Sequence, residues 1–378
     1  MIYFDNAATT LIKPGEVAQA VKEAINTLGN ASRGAHLPSL RSLSAVTKAR
    51  GEITEFFGGK DPKRTVFTLN STMALNMAID GMVKPRDHVI TTCMEHNSVL
   101  RPLYRKEKEG TELSILSCDG NGNISYKELE KSIKKNTKAV VITHASNVTG
   151  NGVDVKEVGH ICSKNGIYLI VDASQSAGVI PIDMEDMGID ALCFTGHKGL
   201  LGPMGTGGLM VSENVEIRPF LVGGSGVHSF DRDHPGDFPE HLEAGTLNAH
   251  GIAGLLAALE WRKGRDLRKD SEYERMLSMR FYEGIRDLPR VKTYGDFSLK
   301  ERVPVVSFNI GDCDSSLVAD ELFERFCICT RAGAHCAPLM HEAFGTVDQG
   351  MVRFSFSVFN TEEEIDEGIR AVKILAGE

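Results

Sequence analysis

The sequence predicts an α/β fold, with a large domain built on a mainly parallel sheet and a smaller C-terminal α/β domain. Two observations carry this. From Thr65 to Val211 short apolar runs alternate with helix-like stretches, the pattern of parallel strands covered by helices on both faces. After His250 the pattern changes to long helical stretches and three separated apolar runs. A chain of 378 residues is long enough for two such units.

In chain order, the strand candidates of the large domain are Thr65–Leu69, His88–Thr92, Leu113–Leu116, Ala139–His144, Ile167–Asp172, Ala191–Thr195 and Gly207–Val211. Leu69-Asn70-Ser71-Thr72 closes the first and opens a helix carrying Met73, Ala74, Leu75, Met77, Ala78, Ile79 and Met82. Helices follow at Ile252–Lys263 and around Glu272–Asp287. The later strand candidates are Val303–Ile310, Phe326–Thr330 and Met351–Ser357. A last helix runs from Glu362 to Leu375, with Thr361 as N-cap and three glutamates in the first turn, where the helix dipole favours negative charge. The expected division is 15–250 for the large domain and 251–378 for the small one. Residues 1–14 are expected to pack against the small domain and the site.

Composition narrows the function classes. The chain is 42% hydrophobic and 25% charged with a net charge of −9, which disfavours nucleic acid and anionic membranes as partners. There is no charged-then-apolar leader pattern, and no apolar run approaches the roughly 18 residues of a membrane helix. A cytoplasmic setting is expected. The eight cysteines then read as reduced thiols, mostly in the core. Cys327-x-Cys329 is too closely spaced for the usual zinc pattern, so no metal is expected. Phe326-Cys327-Ile328-Cys329 reads instead as a buried strand.

The chemistry is carried by two strand ends. Ile167–Val171 runs into Asp172, with Gln175 three residues on, and the next strand ends in Phe194-Thr195-Gly196-His197-Lys198. Either residue alone suits an ordinary α/β protein with a strand-end carboxylate and a surface lysine. Together with their neighbours they suit pyridoxal 5'-phosphate: the amine bonds the aldehyde, and the carboxylate keeps the ring nitrogen protonated so that the ring withdraws electrons. Ser71 and Thr72 open a helix, where free N–H groups make an anion site or a plain N-cap. Arg353, in Met351-Val352-Arg353-Phe354, alternates with apolar neighbours and so needs a partner, since unpaired buried charge is costly. An amino-acid carboxylate supplies one; an internal Asp or Glu is the alternative.

From Asp5-Asn6-Ala7-Ala8-Thr9-Thr10 to Phe359-Asn360-Thr361 the chain resembles the class V aminotransferase family of fold-type I pyridoxal-phosphate enzymes. Arg331-Ala332-Gly333-Ala334-His335-Cys336 is similar to the Arg-x-Gly-His-His-Cys motif of the group II cysteine desulfurases and selenocysteine lyases. The resemblance implies a seven-stranded sheet in the large domain. It implies that Ser71, Thr72, Thr195 and His197 meet the cofactor phosphate, that His96 stacks on the ring and moves protons, and that Gln175 bonds the ring hydroxyl. Asn147 borders cofactor and substrate, and Arg353 grips the substrate carboxylate. Arg33-Gly34-Ala35-His36 resembles a segment near the substrate pocket, which makes His36 a candidate there, with a capping or surface role as the alternative. Thr246, in Glu243-Ala244-Gly245-Thr246-Leu247-Asn248, resembles a residue that reaches the neighbouring subunit's phosphate, which implies a homodimer.

The implied reaction converts L-cysteine to L-alanine and leaves a persulfide on Cys336, to be passed to an acceptor protein or thiol. Lys198 moves the α-proton, and His335 and Arg331 are expected to favour the Cys336 thiolate. Ala334 stands where the motif usually has its first histidine. That loss of an imidazole leaves L-selenocysteine or cysteine sulfinate open as the preferred substrate. Selenocysteine lyase, another class V aminotransferase and a low-turnover cofactor-binding scaffold are the alternative readings.

Overall fold

The computed structural model describes residues 1–31 and 34–377. Its strands are, in chain order, β1 (Ile2–Tyr3), β2 (Thr65–Thr68), β3 (His88–Thr92), β4 (Glu112–Leu116), β5 (Thr137–Thr143), β6 (Tyr168–Asp172), β7 (Ala191–Thr195), β8 (Gly207–Val211), β9 (Val291–Tyr294), β10 (Val305–Ile310), β11 (Ile328–Cys329) and β12 (Val352–Ser355). The helices are α1 (Gly15–Thr27), α2 (Leu37–Phe56), α3 (Ser71–Met82), α4 (Asn97–Lys108), α5 (Tyr126–Lys131), α6 (Val155–Asn165), α7 (Ala249–Lys263), α8 (Leu267–Ile285), α9 (Ser315–Phe326), α10 (Pro338–Phe344) and α11 (Glu362–Gly377).

The expected seven-stranded sheet is present, in the order β2-β8-β7-β6-β5-β3-β4. Only β8 runs against its neighbours. Both faces are buried, and alternate residues supply them. Ile90, Val140, Ile142, Leu169, Val171, Leu192 and Phe194 enter one core; Val89, Val141, Ile170, Ala191 and Cys193 enter the other. A strand sends successive side chains to opposite faces, so continuous apolar runs are what a sheet covered on both sides requires. Helix ends are satisfied locally. Asn70 caps α3 by accepting from Met73 N at 3.0 Å, Asp154 caps α6, and Gly166 closes it in the left-handed conformation.

A smaller antiparallel sheet, β12-β10-β9, packs its own core of Phe281, Phe308, Phe354 and Phe356 with Leu277, Ile365 and Val372. Phe4 is fully buried in that core, 5.0 Å from Phe354 between ring centroids. β1 pairs with β11 in parallel, Ile2 beside Ile328. The N-terminal segment then runs across to the large sheet, where the Thr9 and Thr10 hydroxyls donate to the His197 carbonyl at 3.2 and 3.1 Å.

Two sequence expectations need correction. Phe326–Thr330 is not a buried strand: Phe326 ends α9, Cys327 is an exposed left-handed C-cap, and only Ile328–Cys329 pairs. Of the eight cysteines, Cys93, Cys162 and Cys193 alone are buried. Just past residue 250, Ile252, Leu255, Leu256 and Leu259 of α7 pack in the large-sheet core. An amphipathic helix packs by its apolar stripe, and that stripe meets the large unit.

Candidate active site

The carboxyl ends of five strands converge on one cavity with an empty volume of about 480 Å³. Ligands gather at this edge in open α/β sheets. Asn70, Ser71 and Thr72 come from beyond β2, His96 and Ser98 from beyond β3, and Thr143, Ala145 and Asn147 from the end of β5 and the turn after it. Asp172, Ser174 and Gln175 come from β6 and its turn, and Thr195, His197 and Lys198 from β7 and its turn. Gly178 and Gly199 let the last two loops touch: a Cβ on Gly199 would lie 2.5 Å from the Ala177 carbonyl oxygen, and one on Gly178 2.4 Å from that of Gly199.

Asp172 is buried, and among the described residues its carboxylate is hydrogen-bonded by hydroxyls and an amide and forms no ion pair. Ser174 N donates to its Oδ1 at 2.9 Å, the Ser174 hydroxyl donates to the same oxygen, and Ser71 Oγ lies at 3.5 Å; among the described residues Oδ2 accepts no hydrogen bond. Lys198 makes no side-chain hydrogen bond or ion pair among the described residues, and burial pulls its ammonium down to about 8, against the opposing pull of Asp172. His96 accepts from Ser98 N at Nδ1, 3.0 Å, so the neutral ring carries its proton on Nε2. Burial lowers its pKa, with Asp172 opposing and Lys198 assisting. Ser98 Oγ lies 2.7 Å from Thr72 Oγ1 and 2.9 Å from His96 Nδ1, linking the start of α3 to that ring. His197 is pushed down to about 4 by burial and by Lys198 and Lys13, so it is neutral; its Nδ1 meets Thr9 Oγ1 at 3.0 Å. Gln175 donates to the Ala7 carbonyl at 3.1 Å.

Beneath the cavity lies Glu95, fully buried. Its Oε1 accepts from Thr92 Oγ1 at 2.7 Å and Thr143 N at 3.1 Å, while Oε2 has no partner among the described residues. Burial drives this carboxyl up to about 8.

The Cys336 loop lies next to this cavity, bonded to Asn147 and Asn97. His335 and Cys336 are both left-handed, at φ 49° and 56°, a conformation that costs roughly 1–2 kcal/mol per non-glycine residue. Three hydrogen bonds hold it. Asn147 Nδ2 donates to the His335 carbonyl at 2.8 Å, Asn97 N donates to the Cys336 carbonyl at 2.7 Å, and His335 Nε2 donates to the Met351 carbonyl at 3.0 Å. The Cys336 residue is exposed while the His335 ring is buried, its pKa well below the ordinary value through burial and the Arg353 charge. The expectation that His335 favours the thiolate as a cationic neighbour is therefore corrected: the ring is neutral and turned into the core.

Arg353 is buried and not unpaired. Its Nη2 meets Asp5 Oδ1 at 3.2 Å and its Nη1 donates to the Asn147 carbonyl at 3.0 Å. Arg331 binds the same Asp5 carboxylate at 3.2 and 3.1 Å. Two guanidiniums thus share one carboxylate and leave a net positive charge, with Arg353 Nε unpartnered among the described residues. Neither Arg353 nor Cys336 is part of the cavity lining, and two other candidates also lie off the cavity wall. His36 is exposed at the N-cap of α2, its Nε2 3.3 Å from Ser39 Oγ, and Thr246 is exposed on its loop; Arg33 lies outside the described residues. Sequence reasoning missed Ser98, Ser174, Glu95 and Asp5. The first two sit two residues past His96 and Asp172, the reach of a turn hydroxyl or amide. Asp5 had no local signal, because its partner is 348 residues away.

The arrangement fits pyridoxal phosphate at three points: an unpaired amine at Lys198, a buried carboxylate without an ion pair at Asp172, and a helix N-terminus rich in hydroxyls at Ser71 and Thr72. The comparisons agree. Residues 2–367 match the family model for aminotransferase class V. A probable cysteine desulfurase of Methanothermobacter thermautotrophicus is 33% identical, over 96% of this chain and 92% of its own. Cysteine desulfurase IscS of Cronobacter sakazakii is 34% identical, over 98% and 92%. Among solved structures, the apo cysteine desulfurase of Thermococcus onnurineus NA1 gives a TM-score of 0.92 at 33% identity, covering 100% of this chain and 94% of that one. Cysteine desulfurase CsdA of Escherichia coli gives 0.88 at 27%, covering 98% and 94%. Fold, site chemistry and matched length agree, and the chain belongs to the class V aminotransferase family, which is pyridoxal-phosphate dependent.

Proposed function

We propose that this protein is a cysteine desulfurase, which takes sulfur from L-cysteine onto Cys336 and releases L-alanine. The observation that carries this is the hydrogen bond from Asn97 N to the Cys336 carbonyl, because it docks a loop bearing an exposed thiol beside His96, and His96 itself lines the cavity that holds Lys198 and Asp172. The named relatives support it.

When bound, the cofactor supplies an electron sink that acidifies the substrate α-carbon. Ser71, Thr72, Thr195 and His197 would hold its phosphate, Asp172 its ring nitrogen, Gln175 its hydroxyl and His96 its ring face. Lys198, with its pKa near 8, is poised to take and return a proton near neutral pH. The Asp5–Arg331–Arg353 cluster carries a net positive charge and supports a grip by Arg353 on the substrate carboxylate. The Cys336 thiolate attacks the substrate sulfur; the new sulfur–sulfur bond forms as the substrate's Cβ–S bond breaks, and the electron pair of that bond stays with the carbon fragment, which is protonated and leaves as L-alanine.

The exposed loop at Thr246 supports a homodimer in which that residue completes the partner's phosphate site, and exposed free thiols at Cys313, Cys327 and Cys336 support a reducing, cytoplasmic setting. A second reading, selenocysteine lyase, is favoured by one observation: with Ala334 in the motif and His335 turned inward, neither motif position offers Cys336 an imidazole. Selenium leaves more readily than sulfur and needs less help.

The test is to incubate the cofactor-loaded protein with L-cysteine and L-selenocysteine, measure L-alanine, sulfide and selenide, and map persulfides by mass spectrometry. Cys336→Ala should bind cofactor and cysteine but release no sulfide. A persulfide on Cys313, Cys327 or Cys329, or wild-type sulfide release by the variant, refutes the assignment.

A further inference from the structure

Cys336 faces a second, more open cavity, separate from the space in front of Lys198 but sharing Thr72, His96 and Ser98 with it. Its empty volume is about 770 Å³, and its remaining lining is Asn76, Asn97, Arg101, Pro102 and Arg105. Asn97, Arg101 and Arg105 are spaced four apart on α4, so one face of the helix carries them all. The α4 N-terminus is also where Asn97 N holds the Cys336 carbonyl, so the thiol and this helix face are fixed relative to each other.

The two arginines differ. Arg105 lies 3.6 Å from Asp80, which is also 3.6 Å from Lys106. Arg101 is exposed and, among the described residues, has neither a hydrogen bond nor an ion pair. In a chain of net charge −9, an unpaired guanidinium beside an exposed thiol marks a place for an anion.

We propose that Arg101, backed by Arg105, is an anion subsite that selects a small thiol bearing a carboxylate as the acceptor of sulfur from Cys336. This rests on the reading that Cys336 carries a persulfide. The acceptor thiolate attacks the outer sulfur of that persulfide. A new sulfur–sulfur bond forms on the acceptor, the bond to Cys336 Sγ breaks, and its electron pair returns to Sγ as thiolate. One thiolate and one persulfide give one persulfide and one thiolate, with no outside oxidant or reductant. Arg101 takes no part in bond making; it positions the acceptor.

Two measurements test this. In the first, Cys336 of the purified, cofactor-loaded protein is alkylated by anionic iodoacetate or neutral iodoacetamide, and the rates are read by peptide mass spectrometry. The iodoacetate-to-iodoacetamide ratio should be about fivefold higher in wild type than in Arg101→Gln, the size of one exposed ion pair, with Arg101→Lys in between. Near 1 M salt the difference should vanish. In the second, persulfide-loaded enzyme transfers sulfur to 3-mercaptopropionate or 2-mercaptoethanol, and Arg101→Gln should lower the ratio of the two rates by a similar factor. Equal ratios in wild type and Arg101→Gln in either experiment overturn the proposal. Absence of a persulfide on Cys336 overturns both the acceptor role and the desulfurase reading; the alkylation ratio, which needs no turnover, then still reports whether the anion subsite exists.

Discussion

The backbone N–H of Asn97 donates to the carbonyl oxygen of Cys336 at 2.7 Å, joining the first turn of α4 to a loop 239 residues further along the chain. The donor belongs to a helix start, where N–H groups lack partners within the helix. The loop pays in strain for its shape, with two successive left-handed residues.

Asn97→Pro tests that bond directly. Proline suits the first helical position, and His96 already has the extended conformation, φ −69° and ψ 154°, that a following proline requires. The variant should keep its fold and cofactor while lowering the rate of persulfide formation on Cys336 by roughly five- to tenfold, the worth of about one hydrogen bond. A single-turnover assay with L-cysteine reads this; an unchanged rate would mean that the loop is placed without the bond.

Lys198 should behave as an amine of pKa about 8. In cofactor-free protein its acylation by a neutral amine reagent should reach half its maximal rate near pH 8, and a midpoint near 10 would contradict the burial argument. With cofactor present, borohydride should fix it on Lys198, and Lys198→Ala should lose that product. Fixation through another lysine would reassign the site.

Glu95 gives a stability test. Unfolded, it loses its proton near the ordinary value of 4.5; folded, near 8. Between these values the unfolded chain releases a proton that the folded chain keeps, so this group's contribution is full below about 4.5 and is lost as pH rises through about 8. In Glu95→Gln the amide oxygen can take over the two hydrogen bonds of Oε1. The wild-type urea midpoint should therefore fall more between pH 6 and pH 8 than that of Glu95→Gln, and parallel profiles would show that the carboxyl is ionised in the fold.

Phe4 couples the small core to the arginine cluster. Phe4→Ala should cost about 3–5 kcal/mol of stability, as loss of a fully buried aromatic does, measured by denaturant unfolding. Because Asp5 follows it and holds both Arg331 and Arg353, KM for L-cysteine should rise as well. Arg353→Lys, which keeps the charge but loses the fork, should raise KM about tenfold with less effect on kcat. A rise in neither variant would remove Arg353 from substrate binding.

The sequence by itself determined the sheet and its chemical edge. Seven apolar runs bounded by polar turns announce strands buried on both faces. Asp172 and Thr195 end strands, and Ser71, Thr72, His96, Asn147, Gln175, His197 and Lys198 follow strand ends, so that one local rule places them on a common edge. The short strand β11 was overread because an apolar run of four residues cannot be told from the end of a helix by periodicity, and α9 in fact continues to Phe326. Only the tertiary structure decided the direction of His335, the pairing of Arg353 with Asp5, and the neighbourhood of Cys336 with Asn97 and Arg101. The physical reason is the same in each case. A strand or helix pattern reports which face of a segment is buried, whereas the partner of a buried charge, a neutral imidazole or a strained carbonyl is chosen by how separate segments pack, whether 16 residues apart, as for His335 and Met351, or 348, as for Asp5 and Arg353.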